Sequence, residues 1–177
     1  MFKILIGVVV AVFVVIVAFM IIDPNIGTIH DGVSDSASLN TFALTIEGEV
    51  QRAGTYVLSQ GVTMGDLIIS AGGQTSNTDE LAYFDTAELK SGMTYYIAPK
   101  YDLTDVCNNV EIKKVNINKD TQEKMMGING ITASIANSIV SYRSSNGQFF
   151  TLESLMDVYG IGNATYKKVR NYITLHE

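Results

Sequence analysis

Residues 128–143 read INGITASIANSIVSYR and residues 158–173 read VYGIGNATYKKVRNYI. Each stretch opens on a short glycine turn, Gly130-Ile131-Thr132 in the first and Gly160-Ile161-Gly162 in the second, and runs on into a helix-like pattern. Such a turn leaves several backbone N–H groups unpaired at a helix N-terminus, where the helix dipole also favours negative charge. That arrangement binds phosphate without help from a base or a metal. Two of them in one small domain point to a protein that holds a nucleic-acid backbone.

The residues around the turns predict short helices. Thr121 is the N-cap of one, and Ile135, Ile139 and Val140 form the buried stripe of the next. Thr151 caps a third, with Glu153 in its first turn and Leu152, Leu155 and Met156 facing inward. Tyr166, Val169 and Ile173 recur at i, i+3 and i+7 in the last. From Val115 onward the pattern therefore predicts a compact all-α domain over residues 113–177. In its second turn Ile161 plugs the core and the glycines supply positive φ. Amides from Gly162 through Asn163 to Ala164, and on to Thr165, then face a phosphate, with Lys167, Lys168 and Arg170 one to two turns on. A solvated helix face is the alternative reading of these three cations. In the first turn Gly130, Ile131 and Thr132 repeat the pattern, Thr132 caps the helix and Ser134 offers one hydrogen bond. That helix carries Ile135 and no lysine, so the first turn is either a second phosphate site or a purely structural mate. Arg143 and Lys119 or Lys124 are candidates to supply the missing charge.

Upstream the character changes. Phe42, Leu44 and Ile46 alternate with Thr41, Ala43 and Thr45, as on a half-buried strand. Gly48 and Gly54 punctuate a turn before Tyr56-Val57-Leu58. Thr63 and Asp66 make a capping pair for a helix through Leu67, Ile68 and Ile69, which Ala71-Gly72-Gly73 stops. Ser91-Gly92 then turns into a strand from Met93 to Ala98, closed by Pro99. The expectation is a small α+β domain over residues 41–112, whose last part, from residue 100, is a polar connector running to 114. Residues 23–40, DPNIGTIHDGVSDSASLN, read as a flexible tether reaching about 25 Å. Before it, residues 4–22 hold no charged or polar side chain and span roughly 28 Å as a helix, which predicts a retained transmembrane anchor within residues 1–22. Lys3 ahead of it and Asp23, Asp31 and Asp35 behind it place the N-terminus on the cytoplasmic side and everything else outside. The one cysteine, Cys107, has no intramolecular partner and reads as a buried thiol.

Charge divides with the domains. Residues 1–112 hold 4 Lys and Arg against 13 Asp and Glu, a balance of −9, and residues 113–177 hold 8 against 5, a balance of +3. The C-terminal part attracts polyanions and the middle part repels them.

Glu47-Gly48-Glu49-Val50, Gly54-Thr55-Tyr56, Ala71-Gly72-Gly73 and Leu89 to Pro99 together resemble the SLBB (soluble-ligand-binding β-grasp) domain, with Ala53 where that family usually has proline. Val115-Asn116-Ile117-Asn118, the two glycine turns, Ile139 to Arg143, Asn146-Gly147, Phe149-Phe150 and Leu155 follow the order of the ComEA family of membrane-anchored late-competence DNA receptors, which they resemble. With the anchor included, the resemblance covers residue 1 to about 175. It implies a C-terminal double helix-hairpin-helix domain, double-stranded DNA as partner, an uptake channel or pilus component downstream, and an unidentified ligand for the SLBB-like domain. The first hairpin departs from that family's L-P-G-I-G, lacking the proline and the second glycine, and Ile135 stands where the family often has lysine.

Two function classes follow. One is a cell-surface receptor that binds duplex DNA through its phosphates, without sequence preference, for uptake in transformation. The other is an envelope adhesion or ligand-binding protein whose SLBB-like domain takes a glycan or protein while the hairpins are mainly structural. No cofactor, metal or catalysis is expected. His30 and His176 stand far apart in the tether and at the C-terminus, and Glu47/Glu49 shape an acidic surface rather than an acid–base pair.

Overall fold

The computed structural model describes residues 41–104 and 110–177. The expected anchor, the tether and Cys107 lie outside these residues. Among the described residues no helix is long and apolar enough to cross a membrane.

The alternating run TFALTIEG becomes β1, Thr41–Gly48, with Leu44 and Ile46 fully buried. It pairs antiparallel with β2, Gly54–Ser59, and parallel with β3, Thr94–Ile97, in the order β2-β1-β3. A parallel pair needs a crossover, and α1, Met64–Ser70, lies within it. A capping box starts this helix: the Asp66 amide donates to Thr63 Oγ1 at 3.4 Å and the Thr63 amide donates to Asp66 Oδ2 at 3.0 Å. Met64, Leu67 and Ile68 then join Leu44, Ile46, Tyr95 and Ile97 in a first core. The stretch from residue 100, expected as a plain connector, carries two short antiparallel strands, β4, Tyr101–Asp102, and β5, Val110–Glu111.

A 3-10 turn, Glu80–Ala82, precedes β3, and the remaining elements are β6, Val115–Asn116; α2, Gln122–Met125; α3, Ala133–Asn146; a 3-10 helix, Leu152–Asp157; α4, Asn163–Val169; a 3-10 turn, Arg170–Tyr172; and β7, Ile173–Thr174. The molecule is thus α+β, but residues 113–177 are not all-helical as expected. Val115 opens a strand, and β6 pairs in parallel with β7, so the two ends of this segment are stitched together. β-branched Val115, Ile173 and Thr174 suit that pairing. Asn118 ties the same ends from inside. Its amide Nδ2 donates to the carbonyls of Phe149 and Leu175, each at 2.9 Å, and its Oδ1 accepts from the Phe149 amide at 2.7 Å. Thr151 makes no cap bond to the backbone it precedes; its hydroxyl meets that of Ser154 at 2.9 Å, and the element it opens is 3-10 rather than α. Phe149, Leu152, Leu155, Ile139, Val169 and Ile173 form a second core.

The described residues belong to one compact unit, Leu39–Glu177. A band of polar contacts joins its two cores. Lys114 forms a buried ion pair with Asp79 at 2.5 Å and also donates to the Pro99 carbonyl at 2.6 Å. The Leu175 amide donates to the Leu81 carbonyl at 2.7 Å, and Phe84 packs its ring against both Phe150 and His176.

Candidate nucleic-acid interface

The two glycine turns have the same backbone, thirty residues apart. The Ile131 amide donates to the Ile128 carbonyl and the Ile161 amide to the Val158 carbonyl, each at 3.0 Å. Gly130 at φ +116° and Gly160 at φ +90° hold the left-handed conformation that closes each turn. Ile131 and Ile161 are buried as plugs of the core, so only their backbone can face a ligand. Helix α3 then starts with the Ala136 amide donating to the Thr132 carbonyl at 2.8 Å, and α4 with the Tyr166 amide donating to the Gly162 carbonyl at 2.9 Å.

The second glycine of the second turn departs from expectation. Gly162 sits at φ −91°, ψ 177°, an extended N-cap rather than a positive-φ residue, and a β-carbon there would meet open space. Thr132 occupies the matching place at φ −81°, ψ 167°. The first hairpin has therefore kept its geometry without the glycine. Its difference is chemical: Thr132 Oγ1 accepts from the Ile135 amide at 3.3 Å, leaving the amides of Ala133 and Ser134 open. At the second hairpin no side chain caps the helix, and the amides of Asn163, Ala164 and Thr165 have no partner among the described residues. Asn163, Ala164 and Ser134 are exposed and Thr165 is half-buried.

The cations part company. Lys167 and Lys168 are exposed on α4, the helix that follows the second turn. Arg170 is turned away: its guanidinium stacks 3.5 Å from the centre of the Tyr96 ring, and one of its nitrogens lies 3.8 Å from Glu47. It serves the junction between the two cores. None of the three residues proposed to lend charge to the first hairpin stands free. Arg143 donates to the carbonyls of Ile117 at 2.6 Å and Asp120 at 2.9 Å, Lys124 pairs with Asp120, and Lys119 pairs with Glu177.

Behind the second hairpin lies a group that sequence reasoning placed only in the first turn of a helix. Glu153 is 3% exposed. Its Oε1 accepts from the Tyr96 amide at 2.8 Å and from the Tyr166 hydroxyl at 2.7 Å, while Oε2 is buried with no partner among the described residues. Burial pushes its pKa up to about 7, against the pull of these donors and of Arg170. Burial and the neighbouring Glu153 carboxylate in turn push the Tyr166 phenol up. Only its place among inward-facing Leu152 and Leu155 could have flagged Glu153.

The helix-hairpin-helix motif family matches residues 110–174. ComE operon protein 1 of Bacillus subtilis (strain 168) is 34% identical over 152 residues, covering 80% of this chain and 74% of that protein. An uncharacterized protein of Haemophilus influenzae is 43% identical over 61 residues, or 34% of this chain and 54% of its own length. A 61-residue stretch is also 38% identical to endonuclease/exonuclease/phosphatase family domain-containing protein 1 of Homo sapiens, where it makes up 11% of that protein.

Proposed function

Because this chain belongs to the family of ComE operon protein 1, we propose that it is a non-enzymatic DNA-binding protein of competence. It holds double-stranded DNA by the phosphate backbone, without sequence preference, for uptake in transformation. The observation that carries this reading is the repeated turn. Two helix N-termini of matching geometry present unpaired amides, and Lys167 and Lys168 are exposed on the helix that follows the second. Amides and lysines address phosphate, which is common to every sequence. The stretch shared with the endonuclease/exonuclease/phosphatase family protein is a small part of that protein and carries no catalytic reading here.

The apolar run 4–22 is the membrane anchor of this proposal, with the N-terminus cytoplasmic and the folded unit outside. Residues 41–112 form its SLBB-like domain, with a ligand of its own, and an uptake channel or pilus component receives the DNA. Anisotropy titrations with two labelled duplexes of equal length and unrelated sequence test the central part. Equal affinities at low salt are expected. A lack of binding, or a strong preference for one duplex, would overturn the reading in favour of the ligand-binding alternative.

A further inference from the structure

Lys168 sits on the helix of the second hairpin, yet its stem lies across the turn of the first. A β-carbon on Gly130 would come within 3.2 Å of Lys168 Cδ and 3.0 Å of Val169 Cγ1. The absence of a side chain on Gly130 therefore lets the lysine stem lie close against this turn, its charged end left exposed. The reciprocal crossing exists too: a β-carbon on Gly160 would lie 3.5 Å from Ile135 Cγ1. Each hairpin turn thus packs against the helix of the other. One crossing side chain is a cation and the other is apolar.

We infer that Lys168 is the phosphate-binding cation of the first hairpin, not of the second, so that the first hairpin is a working site with a borrowed charge. The assignment rests on the DNA-binding reading above. It explains how a hairpin whose own helix lacks a lysine, and whose neighbours Arg143, Lys119 and Lys124 are engaged elsewhere, meets an anion. The second hairpin keeps Lys167 and three open amides, so it needs no charge from Ile135.

A double-variant cycle on the intact chain, read by anisotropy with a labelled duplex, separates the two assignments. Proline fits the first position of a helix and deletes one amide donor there without breaking the helix. Ala133→Pro therefore blunts the first hairpin and Asn163→Pro the second, with circular dichroism to verify folding. Lys168→Met alone is expected to weaken binding about fivefold and to reduce the salt slope by about 1. In the Ala133→Pro background the same change costs less than about twofold, whereas with Asn163→Pro the two effects multiply as independent sites do. Ile135→Lys offers a second check: it places charge at the second turn and leaves the coupling between Lys168→Met and Ala133→Pro unaltered. Coupling of Lys168 to Asn163→Pro, multiplication in both backgrounds, or no effect of Lys168→Met would overturn the assignment while DNA binding itself stands. Absence of binding by the unaltered chain would instead remove the reading on which it rests.

Discussion

At the scale of single residues, the second hairpin separates what the fold needs from what a ligand needs. Gly160 is required by its backbone, and Gly162 is not. A Gly162→Val change is expected to alter stability by no more than about 1 kcal/mol, since it replaces an acceptable N-cap with a poor one in open space. It should still weaken DNA binding, because valine sets an apolar methyl where Gly162 leaves bare backbone and where Thr132 of the first hairpin carries a hydroxyl. Thermal melts and anisotropy on the same preparation check both halves. Glu153 gives a second residue-scale outcome. Its folded pKa of about 7 lies above the ordinary 4.5, so the folded state binds the extra proton. That contribution is fully present below about pH 4.5, is lost as pH rises toward 7, and is flat above. Glu153→Gln should therefore gain on the native chain in melting temperature between pH 5 and 8, and a constant difference across that range would refute the assignment. Turns and plugs were legible in the sequence because glycine and isoleucine state their roles within a few residues. Glu153 and Arg170 were not, because Tyr96 and Glu47 decide their surroundings and lie more than fifty residues away.

At the scale of elements, local signals held where a cap or a strong period was present. Thr63, Thr121 and Thr132 cap helices as read, and β1 and β2 follow the alternation. The pairs β4/β5 and β6/β7 were not legible because two-residue strands have no period to detect and owe their existence to partners elsewhere in the chain. Thr151 misled because a good cap residue does not ensure an α-helix; its hydroxyl is taken by Ser154. The matched φ and ψ of Thr132 and Gly162 lead to an element-scale prediction. Thr132→Gly leaves the hairpin backbone in place and frees the Ile135 amide, giving the first site a third donor. Stability should fall by only a few tenths of a kcal/mol, and duplex affinity should hold or rise. A clear loss of affinity with the fold intact would show that the threonine hydroxyl itself contacts DNA.

At the scale of the whole molecule, charge and composition separated an acidic part from a basic part but said nothing of how closely they join. The junction is built of particular bonds, of which Asp79–Lys114 is the most buried ion pair among the described residues. Asp79→Ala leaves Lys114 without its carboxylate, and burial already presses that ammonium toward its neutral form. The change is expected to cost about 3 to 5 kcal/mol in urea unfolding, lowering the whole unit in a single transition. Loss of one core while the other persists would show that the two fold independently. Function at this scale comes down to whether exposed cations and open amides grip a polyanion. The most direct measurement is the dependence of duplex affinity on salt for the native chain and for a Lys167→Ala/Lys168→Ala double variant, across several unrelated sequences. The account predicts a linear log–log plot whose slope flattens in the variant by about 0.9 for each phosphate no longer neutralised, equally on every sequence. An unchanged slope and affinity in a correctly folded variant would contradict it.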